Sequence, residues 1–157
     1  MTRDDLTRLI SEYHAGVEAE LNLLRQLAEI SERQRAVTAA GDLKQFNRPA
    51  DERDAIMRSL VTIEEGLRAV REKLTLHREQ AAGVAGFDAV VKLHRDAAHV
   101  VSRIMATDQA SLSALADADL ARRSAVASLE RGESTLAAYR RVLAPPVANA
   151  TLVDRRG

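Results

Sequence analysis

The chain contains no cysteine and no tryptophan, and its aromatic residues are only Tyr13, Phe46, Phe87 and Tyr139. Without cysteine there is no disulfide, no thiolate metal site and no thiol nucleophile. So few rings leave no stacking platform for single-stranded nucleic acid. Neither sign of charge is in excess, since 23 Lys and Arg balance 23 Asp and Glu. The charges are also spread evenly along the chain, which argues against a phosphate-tracking protein or a charged arm for a nucleic acid or a membrane surface. Apolar runs are only a few residues long, far short of the ~20 that span a bilayer. The opening residues Met1-Thr2-Arg3-Asp4-Asp5 lack the apolar stretch of a secretory signal. The expected location is therefore cytoplasmic.

What the chain does have is Ala, Leu, Arg and Glu in abundance, all strong helix formers. At 157 residues it is long enough to bury a core as one domain. The first segment, about 4–40, repeats apolar residues at Leu6, Ile10, Tyr13, Val17, Leu21, Leu24 and Ala28, in steps of three and four. That spacing predicts a long helix with a coiled-coil-like seam. Gly41 suits the position after its last turn, where a left-handed backbone is needed, and Asp42 suits the cap of the next helix. So tight a link makes the first two segments an antiparallel hairpin.

The second segment, about 42–82, is broken near Pro49, which either kinks the helix or starts it afresh. Beyond Pro49 comes the cleanest seam in the chain: Ile56, Leu60, Ile63, Leu67, Val70 and Leu74. A second break falls at 81–86, rich in small residues. The third segment, 87–143, has apolar positions at Val90, Ala97, Val101, Ile104, Leu112 and Leu115, and again from Val126 onward. Between these stretches Asp108 takes a seam position, and Asp117, Asp119, Arg122 and Arg123 crowd the following turns. A bend, a register shift or local exposure is expected there, with the segment forming one helix or two. Pro145-Pro146 ends it, and residues 144–157 are expected to be a flexible, disordered tail. The fold class is all-α: a long antiparallel helical hairpin or coiled-coil-like bundle of three to four helices, with 1–143 as a single domain.

Motifs that carry chemistry are scarce. A di-iron bundle needs Glu-x-x-His pairs, and none of His14, His77, His94 and His99 has Glu three positions before it. Asp96-Ala97-Ala98-His99 is one isolated pair. His94 and His99 do not share a helix face, and His94 lacks the Lys-Gly pair that usually follows a phosphotransfer histidine. There is no glycine-rich phosphate cradle, Gly-x-Ser-x-Gly or His-Glu-x-x-His. Glu64-Glu65 reads as an exposed heptad position rather than a catalytic carboxylate pair. No enzymatic activity, cofactor or metal is expected.

Three long rods bury a shared stripe rather than a thick core, so a further helix, the chain's own or a partner's, often completes such a molecule. The amphipathic strip Val126, Leu129, Leu136, Tyr139, Val142 and Leu143, with the tail pair Leu152-Val153, is the expected partner surface, since a helix docking in a groove uses anchors at this spacing.

The chain resembles the flagellar export chaperones of the FlgN type, with the FliT type as near relatives. The resemblance rests on Gln34-Arg35-Ala36-Val37-Thr38-Ala39-Ala40-Gly41-Asp42-Leu43, a helix that ends in Gly-Asp before the next begins. It extends to the heptad segment from Arg53-Asp54-Ala55-Ile56 through Leu60, Ile63 and Leu67. Asp108, Leu112, Leu115 and Leu136-Ala137-Ala138-Tyr139 on a later helix, and a short tail ending Leu152-Val153-Asp154-Arg155-Arg156-Gly157, complete it. The resemblance implies a non-enzymatic cytoplasmic protein that binds the C-terminal helical segment of hook-associated (hook–filament junction) proteins before type III export and hands them to the export apparatus. The alternative reading from the seams is a structural or adaptor coiled-coil homodimer without an export client.

Overall fold

The computed structural model describes residues 1–143; beyond residue 120, the side chains described are those of Arg123, Val126, Ala127, Leu129, Glu130 and Leu136. Every regular element among the described residues is helical: α1 (Arg3–Ala39), α2 (Leu43–Asn47), α3 (Ala50–Leu76), α4 (Arg78–Ala82) and α5 (Phe87–Leu143). The tail expected over 144–157 lies outside the described residues. The chain divides into two compact units, Met1–Ala114 and Leu115–Gly157, where the sequence reading drew one domain over 1–143.

Local chemistry sets the helix ends. Thr2 caps α1 in a reciprocal box: its hydroxyl accepts from the Asp5 N–H at 3.1 Å, and its own N–H donates to the Asp5 carboxylate at 3.2 Å. Bonding to the Thr2 side chain, foremost, holds the Asp5 carboxyl below its usual range. At the other end Gly41 has φ 76°, which an L side chain rarely adopts. This lets the Gly41 N–H reach the Thr38 carbonyl at 3.0 Å and the Asp42 N–H reach the Val37 carbonyl at 2.9 Å, the paired bonds of a Schellman stop. The Asp42 carboxylate then accepts from the Gln45 N–H at 3.1 Å and caps α2. Pro49 stands at the N-cap of α3, with Asp51 and Glu52 in the first turn. The helix therefore starts afresh at Pro49 rather than kinking through it.

In the first unit, α1 and α3 run antiparallel. Arg53 near the start of α3 meets Ser31 and Gln34 late in α1, whereas Arg71 near its end meets Tyr13. The first half of α5 runs parallel to α1, since His94 meets Tyr13 and Thr107 meets Glu32. The apolar core is in two parts. One gathers Leu6, Ile10, Tyr13, Val17, Leu67 and Val70 with the α4–α5 corner at Ala81, Val84 and Val90. The other joins Leu27, Ile30, Ile56 and Ile104. Between their α1 residues comes Glu20, whose α3 neighbour is Glu64.

The α3 seam packs at every expected position, each buried or half-buried. In α1 the buried set drifts from Leu24 and Ala28, which are half-buried, to Leu27 and Ile30, which are buried fully. A straight helix at 3.6 residues per turn slides off a 3.5-residue seam, and α1 also has two neighbours to cover. The α5 seam packs at Val90, Ala97, Ile104 and Leu115 but differs from expectation at two positions. Val101 and Leu112 are exposed, and the inward positions are Val90, Leu93, Ala97, Val100, Ile104 and Ser111. Both patterns have helical spacing. The inward one includes a serine, which an apolar search passes over.

At Gly16 the hairpin is packed too tightly for a side chain. A Cβ there would lie 2.5 Å and 2.7 Å from the two Leu67 methyls and 2.9 Å from its Cγ. Leu67 is itself buried, so its branch has nowhere easy to turn. Gly16→Ala gains about 1 kcal/mol of helix propensity but overpacks the core, which typically costs about 1–3 kcal/mol. The expected net result is a loss of about 1 kcal/mol in urea denaturation. Leu67→Ala is expected to cost less in the Gly16→Ala background than alone. Additive losses would show that the two positions are uncoupled.

Candidate functional site

The predicted partner strip falls in the second unit. Leu129 and Leu136 are 74% and 68% exposed, seven residues apart on one face of α5, and Val126 and Leu120 are exposed nearby. Tyr139, Val142 and Leu143 belong to the last turns of α5, but their side chains lie outside the described set, and Leu152 and Val153 lie outside the described residues. In the first unit, Met105 and Leu112 are exposed as well. Single exposed leucines are ordinary, but a run of them along one helix signals an interaction surface.

Two polar clusters join the helices of the first unit, and sequence reading assembled neither. In the first, the Arg53 guanidinium donates to the Ser31 hydroxyl at 2.9 Å, to the Gln34 side-chain carbonyl at 3.0 Å and, from both terminal nitrogens, to the Asp108 carboxylate. The Gln34 amide N–H donates to the Phe46 carbonyl at 3.2 Å. Asp108 is thus not a solvated interruption. α5 is continuous through it, and it forms the α5 half of a partly buried, two-pronged ion pair.

The second cluster holds Glu20, Glu64, Arg71, Tyr13 and His94. Arg71 grips Glu64 with two nitrogens, at 2.8 Å and 2.9 Å, and its Nε donates to the Tyr13 hydroxyl at 3.0 Å. Tyr13 Oη lies 2.6 Å from His94 Nε2, with the rings 5.3 Å apart. Glu20 is only 9% exposed, and its Oε1 has no hydrogen-bond partner. Burial, then the neighbouring Glu64, pushes the Glu20 carboxyl up to about 7. Hydrogen bonds from Arg71, then Glu20, hold Glu64 below the usual carboxylate range. Glu64 also raises Arg71, with a lesser contribution from Tyr13. His94 keeps an exposed edge, but lost solvation, then Arg71, lowers its imidazole. The expected exposed Glu64-Glu65 pair holds for Glu65, whereas Glu64 is half-buried and its carboxylate is committed to Arg71. An i, i+7 spacing from Glu64 to Arg71 on a regular seam was the only available signal.

His99 and Asp96 line an open groove of about 1010 Å³ between α1 and α5, opposite Arg25, Glu29 and Arg33. Its charges alternate and no nucleophile converges with a base. Among the described residues no three His, Asp or Glu side chains gather as metal ligands, and no helix is long and apolar enough to cross a membrane. No family model, curated protein or solved structure matches this chain.

Proposed function

We propose that the protein is a non-enzymatic helix-binding chaperone of the FlgN export type, whose clients are the C-terminal helical segments of hook-associated proteins. The observation that carries this reading is the run of exposed leucine and valine along the distal part of α5. An isolated helix with such a face gains little from its own apolar residues, whereas pairing with an amphipathic client helix covers both stripes at once. The flagellar identity of the client rests on the resemblance of the Gly41-Asp42 turn and the heptad segment that follows. Ordering a client segment on binding lowers the net affinity, which keeps the complex releasable for export.

The test is calorimetric titration of the whole protein with C-terminal peptides of hook-associated proteins, beside a Leu129→Ala/Leu136→Ala variant. Submicromolar one-to-one binding is expected, weakened at least about tenfold in the variant, because each buried leucine side chain contributes roughly 1.5–3 kcal/mol. The variant's stability should stay within about 0.5 kcal/mol of the parent, since both side chains are exposed. Failure of the folded parent to bind would reject the chaperone reading. Concentration-dependent self-association through the same face would favour the adaptor homodimer.

A further inference from the structure

The Glu20 cluster is built as a chain of donors and acceptors from α1 through α3 and back to α5. Its geometry fixes the protonation states that complete it. Arg71 Nε–H donates to Tyr13 Oη, leaving the tyrosine's own proton free to point at His94 Nε2, 2.6 Å away. That bond needs a neutral imidazole with Nε2 unprotonated. At the other end the Glu20 side chain is buried beside Glu64, with one oxygen unsatisfied. Two carboxylates there would compete for one guanidinium, whereas a protonated Glu20 donates to Glu64 and leaves Arg71 to Glu64 and Tyr13. The groups facing Glu20 and His94 are Glu64 and Arg71 from α3 and Tyr13 from α1; His94 is the α5 member.

We propose that Glu20, Glu64, Arg71, Tyr13 and His94 form a proton-operated latch, which fastens the first half of α5 to the α1–α3 hairpin in mildly acidic solution and loosens it as the medium turns alkaline. The directions of titration agree with the geometry. Glu20 is raised to about 7, so the folded latch holds a proton that the open form releases. Closure therefore weakens as pH rises from the ordinary glutamate range through about 7. His94 is lowered, so its contribution is present above the ordinary histidine range and fades only as pH falls through its depressed value. The latch is complete in the window between the two.

Hydrogen exchange of the whole protein, corrected for intrinsic rates, tests this. Between pH 6 and pH 8, protection of α5 amides from Val90 to Ile104 is expected to fall about tenfold, steepest below pH 7 and levelling off above it, as one carboxyl near 7 dictates. Amides of α1 and α3 should change by less than about twofold, since they keep their mutual packing. Glu20→Gln, which keeps the shape and donates to Glu64 at every pH, should abolish the fall. Tyr13→Phe, which cuts the link to His94, should leave α5 poorly protected at both pH values. A pH-independent α5, an equal loss across all three helices, or a fall that persists unchanged in Glu20→Gln would each overturn the latch.

Discussion

Arg53→Ala is expected to lower the unfolding free energy by about 2–3 kcal/mol, in the range for stripping one partner from a partly buried, charged hydrogen-bond cluster. The guanidinium serves three acceptors on two helices. Removing it leaves the Asp108 carboxylate facing the buried Ser31 hydroxyl and the Gln34 side chain with no cation between them. The arginine and aspartate side chains keep 20% and 30% of their exposure, so water recovers part of the loss, and the figure sits below that of a fully buried pair. The companion is Arg53→Met/Asp108→Leu, which removes both charges and keeps apolar volume. That double variant is expected to regain most of the stability, because the penalty belongs to the orphaned partner rather than to the missing attraction. Urea denaturation followed by circular dichroism measures both. A loss under about 0.5 kcal/mol for Arg53→Ala would mean the cluster is solvated in solution and does not hold α5.

Ile30→Ala should be the costliest single truncation, at about 3–4 kcal/mol. Ile30 is 0% exposed, in the smaller of the two apolar clusters, whose other buried members are Leu27, Ile56 and Ile104. These come from three different helices, so collapse into the cavity would require α1, α3 and α5 to shift together. The midpoint of thermal unfolding should drop by roughly 10 °C, taking about 3 °C per kcal/mol for a chain of this size. Truncating the exposed Met105 is the control, with no measurable change expected. A loss at Ile30 below about 1.5 kcal/mol would show that the second cluster repacks freely.

The all-α class, the Gly41-Asp42 turn and the whole α3 seam were legible in the sequence, because each depends on local rules: helical spacing, a left-handed glycine and a capping aspartate. The polar clusters were not, and the reason is physical. Periodicity shows that Asp108 occupies a seam position, but not whether it meets water or a cation. Its partner Arg53 lies 55 residues away, beyond any local pattern. Glu64 read as a surface charge because an acidic pair on a heptad usually is one. Only the antiparallel alignment of α1 shows that Glu20 lies beside it. The α5 seam held at Val90, Ala97, Ile104 and Leu115 and failed at two positions for a related reason. Val101 and Leu112 have helical spacing, but the inward stripe passes through Ser111.

The regular α3 seam also raises an addressing problem. Leucines and isoleucines repeating every three and four residues fit α1 equally well when the helices slide by seven, so apolar packing alone would tolerate several misalignments. The charged residues make these positions unequal. Moving α3 by one heptad would carry Glu64 from Glu20 to the level of Leu27, which is buried, and would take Arg53 away from Ser31 and Gln34. Arg71 moves with Glu64 on α3 and stays paired to it, but it would lose the Tyr13 hydroxyl, and Asp108, Ser31 and Gln34 would lose Arg53. The two polar interruptions therefore act like notches on a key: they cost some burial, and in return a single offset of the two helices is permitted.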